Sequence, residues 1–333
     1  MVVVLHLLWF SHAQHHLVAI YIGGSCWAHA TLSSLADRIK VFRLLHNDDS
    51  HATPSLHASD INLSIQFVLN CGADVAGSCH GGSMHGVYEL IKHHTGHIPY
   101  ETCQPYLACS SDSEWGVCPH VDTTCTKFNT CRTCALKLVP SVHPFSEECS
   151  EIDQYPNATI AEYGAYELTD DDVSDATRAA HVHKIQAEIF ARGPVASLVN
   201  GKDLHEYHGG VFSNRTASNI TGHVVTIVGW GHTQPTETGA KSQLYWICRN
   251  SWGQYWGEMG YFRILAGYNV LGIERKIGWA TPGYFSLENV FCREDGKNCN
   301  GQEPFFTVQH YVDPSHNVAR VKRRLMDSKL VEI

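Results

Sequence analysis

The spacing of apolar and polar residues divides this 333-residue chain into unlike stretches. Residues 23 to about 125 read as mainly helical, with the clearest segments near Cys26 to Leu45 and Gly82 to His94. Residues from about 160 to 278 switch to strand character. There Val224 to Val228 form an apolar, largely β-branched run that ends in a glycine-rich turn, and Cys248 to Ile264 add a strand with Asn250 on it, followed by a glycine-punctuated hairpin. An amphipathic segment, Ala176 to Phe190, follows the acidic run Thr169 to Asp175, which reads as a solvated turn. Residues 103 to 160, rich in Cys, Ser, Thr and Asp, show neither period and read as an irregular insertion. The pattern predicts an α+β fold in which a helical and a β-rich half share a cleft.

Both ends depart from this pattern. Residues 1–22 are atypical: Met1 to Phe10 followed by Ser11-His12-Ala13 resembles the apolar core and cleavage site of a signal peptide that lacks a basic start. The run is too short to span a bilayer. Residues 279–333 form a C-terminal extension, with Cys292 and Cys299 spaced for a local loop and a basic run, Arg320 to Arg324, read as solvated.

Composition narrows the partners and the compartment. A formal net charge of −9 argues against nucleic acid or an anionic membrane surface. The 23 histidines would change that balance sharply near pH 5. Thirteen cysteines indicate an oxidising compartment, and four N-x-S/T acceptors for N-glycans, at Asn62, Asn157, Asn214 and Asn219, agree with a secretory route to a lysosome or the exterior. The CRTC run at Cys131 to Cys134, flanked by Cys125, Cys149 and His143, also has zinc-like spacing, but the compartment favours disulfides, so no metal and no cofactor are expected.

The candidate chemistry lies in three short runs. GSCWAHA, Gly24 to Ala30, places Cys26 where a helix begins, over unsatisfied N–H groups that favour a thiolate. TGHVVTIVGWG, Thr221 to Gly231, places His223 immediately before a strand, and CRNSWG, Cys248 to Gly253, supplies Asn250. An imidazole is suited to pair with a thiol and to protonate a leaving amine, and an amide oxygen can orient that imidazole without adding charge. Trp252 stands two residues beyond Asn250, placed to shield a His–Asn contact from water. In CHGG, Cys79 to Gly82, the glycines allow close approach of an extended peptide backbone.

Around these residues the chain resembles the papain family of cysteine peptidases, and within it the cathepsin X branch. The branch resemblance rests on CWAHA at Cys26 to Ala30, ADRI at Ala36 to Ile39, YETCQPY at Tyr100 to Tyr106, KFNTCRTC at Lys127 to Cys134, AEIFARGPV at Ala187 to Val195 and YHGGVF at Tyr207 to Phe212. It covers roughly residues 23 to 275. The 197 positions from Cys26 to His223 exceed the about 130–150 of papain-like enzymes, which the insertion at 103–160 accounts for. The resemblance implies a two-subdomain fold over residues 23–278, with a helical left half and a β-barrel-like right half. It also implies a Cys26, His223 and Asn250 triad, substrate-binding Gly81 and Gly82, a Trp252 wall, peptide or protein substrates, and removal of single residues from peptide C-termini.

Two departures from the family pattern follow. The family's oxyanion-hole glutamine is absent: the positions six and nine before Cys26 are Ile20 and Leu17, and Gln14 would need a longer loop. Losing such a donor costs about 2.7–4 kcal/mol of transition-state stabilisation. The cysteine expected three residues before the nucleophile is Gly23, so its usual partner by resemblance, Cys79, is expected to be free, as is Cys248. With Cys26 set aside too, ten cysteines remain for five bridges, Cys71 with Cys103 among them by family pattern. A misjoined precursor and a variant with a decayed oxyanion loop both fit these departures. The expectation is a carboxypeptidase-like cysteine peptidase, with a catalytically impaired peptide-binding protein and a cysteine endopeptidase as alternatives.

Overall fold

The structure is a computed structural model that describes residues 24–46, 60–139, 143–168, 174–235 and 241–286. Helix α1, Cys26–His46, runs through the interior. Trp27, Ala28, Leu32, Leu35 and Ile39 are buried, and so are the polar Thr31, Ser34, Asp37 and Arg38. A helix enclosed on all sides must satisfy its polar positions internally. Thr31 Oγ1 donates to Trp27 O at 2.6 Å and Ser34 Oγ to Pro194 O at 2.7 Å. Helix α2, Ile65–Cys71, starts under a side-chain cap: Phe67 N–H donates to Ser64 Oγ at 3.0 Å. Strands β1 (Gly77–Ser78) and β2 (Gly81–Gly82) form a small hairpin. Helix α3, Met84–Glu89, then continues as one π-helical turn, Leu90–His94.

After the short strand β3, Ile98–Pro99, come the one-turn helix α4, Lys127–Thr130, and a hairpin of β4, Arg132–Val139, with β5, His143–Glu151. The remaining elements are β6 (Asn157–Glu167), α5 (Asp175–Arg192), β7 (Val195–Val199), β8 (Val211–Phe212), β9 (His223–His232), β10 (Leu244–Arg249), β11 (Tyr261–Leu265) and β12 (Lys276–Phe285). Eight strands join in one sheet in the order β3-β6-β12-β7-β9-β10-β11-β8, in which only the β11–β8 pair is parallel. Every described position of β9 from His223 to Gly231 is buried, which explains the unbroken apolar run in its sequence.

Two apolar cores result. One gathers Trp27, Leu32, Leu35, Phe67, Val87, Tyr88 and Tyr106 under α1, α2 and α3, and the other gathers Ile185, Ile189, Val225, Trp246, Phe262 and Ile277 between α5 and the sheet. The α+β class expected from the sequence is the one observed. The β-rich part is an open eight-stranded sheet among the described residues, not a closed barrel.

Three expectations need correction. The insertion is not irregular throughout, because β4 and β5 lie within it. Its hairpin places Cys134 opposite Cys149 in register and joins them by a disulfide. A covalent cross-link across the ladder takes the place of the alternating apolar face that reveals most strands. Cys71 bonds Cys125, not Cys103, whose partner is Cys131 in a small cluster with Ile152 and Tyr155. A fourth bridge joins Cys109 to Cys118. The disulfides at Cys125, Cys131, Cys134 and Cys149 consume the thiolates that a zinc reading requires. Asn250 lies one residue beyond the end of β10, not within it. Cys26, Cys79 and Cys248 are free, as expected, whereas Cys292 and Cys299 lie outside the described residues.

Candidate active site

Cys26 opens α1, and the carbonyl of Ser25 just before it accepts from Ala28 N–H at 3.0 Å and His29 N–H at 3.1 Å. The entry to the helix is held from two directions. Gly24 N–H donates to Cys79 O at 2.5 Å, and the buried Ser25 hydroxyl lies 2.8 Å from the Tyr106 hydroxyl. Trp27, next to the thiol, is fully buried and donates its indole N–H to Ser78 O at 3.3 Å. A Cβ on Gly82 would sit 2.4 Å from the Trp27 ring, so this close approach explains that glycine. Gly81 is different: its φ of +135° requires glycine, and a Cβ there would meet nothing within 4 Å. The exposed outer edge of Gly81–Gly82 pairs with no other strand among the described residues.

On the facing wall, His223 is the first residue of β9 and is 7% exposed. Its Nε2–H donates to Asn250 Oδ1 at 2.7 Å, and the same oxygen accepts from Ser251 N–H at 2.8 Å. Asn250 is thereby held carbonyl-first, and His223 Nδ1 is left as an acceptor for a thiol proton. Trp252 stacks on His223 with ring centroids 4.8 Å apart and an interplanar angle of 27°. Gly201, just beyond β7, packs against the same side chain: an added Cβ would come within 2.7 Å of His223 Cβ.

Cys26 belongs to this cluster because the backbone N–H of Val224, adjacent to His223, interacts with its sulfur. The Trp27 and Cys26 N–H groups at the helix start act in the same sense, favouring the thiolate. Burial nevertheless dominates and pushes the Cys26 thiol above its usual range. Burial also pushes His223 down to about 4, with the Asn250 bond opposing this and the nearby His205 adding to it. Each charge on its own is therefore disfavoured. Thiolate and imidazolium become favourable together, when their mutual attraction offsets desolvation.

The three elements that carry these residues are tied by a buried polar strap. Arg249, next to Asn250, donates from Nη2 to Asp37 Oδ2 at 2.5 Å and to Ser33 Oγ at 3.0 Å, both on α1. Ser33 Oγ lies 3.2 Å from Thr226 Oγ1 on β9, which donates to Ala30 O at 3.0 Å. Sequence reasoning did not single out this strap. Its only sequence trace is the ADRI run, which carries no chemical signal without a partner. Gln14, Leu17, Ile20 and Gly23 lie outside the described residues.

A sequence profile described as papain family cysteine protease matches residues 22–281. The chain belongs to the papain family of cysteine proteases. Cathepsin Z of Onchocerca volvulus is 34% identical over 268 residues, spanning 78% of this chain and 69% of that protein. Cathepsin B-like protease 1 of Arabidopsis thaliana is 30% identical over 285 residues, spanning 85% of this chain and 60% of that one. A solved structure of digestive procathepsin L 3 from Tenebrio molitor larval midgut aligns with a TM-score of 0.51 at 22% identity, covering 78% of this chain and 63% of that one. The last likeness supports the papain-like fold alone. The architecture, the disulfides and the family membership thus agree on a cysteine peptidase.

Proposed function

We propose that this papain-family protein is a carboxypeptidase-like exopeptidase in which Cys26 is the nucleophile, His223 the acid–base and Asn250 its orienter. The observation that carries the reading is the 2.7 Å His223–Asn250 bond beneath Trp252, with Cys26 beside the start of the same strand. In acylation the Cys26 proton passes to His223 Nδ1 as sulfur forms a bond to the scissile carbonyl carbon. The C–N bond then breaks, and His223 gives the proton to the departing amine. Water, deprotonated by His223, attacks the thioester, and cleavage of the S–C bond returns the thiol and releases the acid. Cys26 N–H supplies one oxyanion donor, and the Gly81–Gly82 edge pairs with the acyl-side backbone of a peptide. Four disulfides favour the lysosome or the exterior as its place of work. Asn214, exposed in a turn, is the most accessible glycan acceptor.

The test combines two measurements on the full chain. A peptidyl epoxide or vinyl sulfone at acid pH should label Cys26 stoichiometrically, and a peptide with a free C-terminus should be cleaved faster than its amide. Folded protein that resists labelling would sink the catalytic reading. Equal cleavage of acid and amide would point to an endopeptidase. One observation favours a second reading, a peptide-binding protein of low activity: burial acts against both the Cys26 thiolate and the His223 imidazolium. That reading expects peptide to protect Cys26 from labelling without being cleaved.

A further inference from the structure

The four N-x-S/T runs are not equivalent once folded. At Asn214 the side chain is exposed, and its Oδ1 accepts from Thr216 N–H at 3.0 Å and from the Thr216 hydroxyl at 2.8 Å. These bonds close an Asx turn within three residues, so they need nothing from the rest of the chain. They occupy the amide oxygen and leave Nδ2 open to solvent. The turn is braced by Ala217 N–H, which donates to Asn214 O at 3.4 Å, and by Arg215, whose guanidinium lies 3.4 Å from the centre of the Tyr268 ring. The other three runs are committed to the fold. After Asn62, the Ser64 hydroxyl is buried, caps α2 and donates to Gln104 O at 2.7 Å. Asn157 spends its own amide, donating from Nδ2 to Tyr155 O at 3.0 Å, and Thr159 Oγ1 accepts from Tyr284 N–H at 2.7 Å. Asn219 and Thr221 pack against Gly272, whose added Cβ would come within 3.1 Å of Asn219 O and 2.7 Å of Thr221 Cγ2.

An aromatic ring stands two residues before Asn214. Phe212 is the last residue of β8, which ends the eight-stranded sheet, and the outer edge of β8 is unpaired among the described residues. Phe212 pairs with the buried Ile264 of β11, and cross-strand partners share a face, so one side of the ring rests on the core between α5 and the sheet. The rest of Phe212 is open, since the residue is only half-buried. Ser213 carries the chain out of the strand without a turn. Residues two apart in an extended segment point the same way, about 6.5 Å from each other. Asn214 therefore lies on the Phe212 face, at a distance that its side chain and one pyranose ring bridge.

We propose that Asn214, rather than the other three acceptors, carries an N-linked glycan whose first sugar packs on the Phe212 ring and covers the open edge of β8. This rests on the secretory compartment argued from the disulfides and is independent of the peptidase mechanism. The donor is, by class, a lipid-linked oligosaccharide diphosphate. Asn214 Nδ2 forms a bond to C1 of the first sugar, the C1–O bond to the diphosphate breaks, the diphosphate leaves with the electron pair, and Nδ2 gives up one proton. The contact follows from ring chemistry. An N-acetylhexosamine presents C–H groups on one face, and the face of an aromatic ring is negative. Covering the half-buried Phe212 removes apolar surface from water beside a strand that is only two residues long. A bulky hydrophilic group at that edge also prevents a further strand from adding to the sheet.

The experiment secretes the full chain from a eukaryotic cell line behind an added signal peptide. Mass spectrometry of its peptides, after enzymatic glycan release in heavy-oxygen water, reads the occupancy of each acceptor, and Asn214 should be filled in most molecules. Thermal midpoints are then compared for the glycoprotein, for the glycoprotein trimmed by an endoglycosidase to its first sugar, and for Asn214→Gln. The trimmed form should keep the midpoint, and Asn214→Gln should lower it by about 2–4 °C. In a Phe212→Leu background, which keeps an apolar contact with Ile264 but offers no ring, the same Asn214→Gln change should cost much less. The trimmed wild type tests the contact without altering Phe212. Secreted, disulfide-bonded protein with Asn214 bare, or with all four acceptors filled alike, overturns this proposal while leaving the compartment reading intact. A trimmed form as unstable as Asn214→Gln, or an equal loss with and without the Phe212 ring, overturns it as well. Protein that reaches the medium with its cysteines reduced overturns the compartment reading and this proposal with it.

Discussion

Asp37 and Arg38 are consecutive on α1, and each reaches a buried partner of opposite charge, but the two pairs are built differently. Arg38 meets Glu188 on α5 at 2.9 Å and also donates to the carbonyls of Pro194, Ala280 and Gly193. Glu188 in turn accepts from Arg192 and from Tyr166 Oη at 2.8 Å. Asp37 has one arginine, Arg249, with Lys40 acting at longer range and Asp60 opposing. The consequence is visible in the carboxylates. Arg38, Arg192 and Tyr166 overcome burial and hold Glu188 at about 2, while for Asp37 burial wins and the carboxyl is pushed above its usual range. A buried charge is tolerated in proportion to the hydrogen bonds that replace water. The pair on α5 is fully supplied, and the pair adjoining Asn250 is held by fewer contacts.

Removing one member of the well-supplied pair should have the largest effect. Glu188→Ala strands the fully buried Arg38, so a loss of about 3–5 kcal/mol is expected, read as a lower urea midpoint at unchanged slope. Asp37→Asn should cost less in stability, about 1–3 kcal/mol, because the amide oxygen still accepts from Arg249. Its larger effect should fall on turnover: Arg249 precedes Asn250, so under the proposed mechanism kcat is expected to drop about tenfold with KM little changed, as displacement of Asn250 would produce. Should Asp37→Asn lose stability as severely as Glu188→Ala while keeping full turnover, the strap has no positioning role. Ser33→Ala removes one acceptor of Arg249 and should cost about 1 kcal/mol, with a smaller loss of kcat than Asp37→Asn.

What the sequence revealed and what it hid follow the same division between local and assembled features. Cys26, His223 and Asn250 stand in short runs whose residue types and order already point to a thiol–imidazole–amide set, α5 follows from its amphipathic period, and β9 follows from its unbroken apolar run. Pairings across the fold were not legible. Cys71 bonds Cys125 because tertiary packing brings the end of α2 beside the residues before α4, which no spacing rule states. The β4–β5 hairpin is fixed by a cross-strand disulfide, so its alternation is weak. His205 is one histidine among 23 until the fold stacks it on Trp252. Asp37 is a polar residue inside a helix until β10 supplies Arg249.

The finest discrimination between the two pairs is the sign of their pH dependence. Glu188 has a folded-state value near 2, below its ordinary 4.5, so its contribution is present above 4.5 and is lost as pH falls through 2. The difference corresponds to about 3 kcal/mol as an order of magnitude. Asp37 is shifted upward, so its protonated form is the one that folding favours, and its contribution is greatest below its ordinary 3.8 and is lost as pH rises through the folded value. Urea unfolding between pH 7 and 3 therefore separates them. The deficit of Glu188→Gln relative to wild type should shrink as pH falls below 4.5, and the deficit of Asp37→Asn should widen. His223, depressed to about 4 and common to the wild type and both variants, makes all three less stable as pH falls from 6.5 through 4, and this shared trend cancels in each difference. Parallel deficits across the range would mean that Asp37 and Glu188 are equally well compensated, and that the contrast between the strap beside Asn250 and the network at α5 is one of position alone.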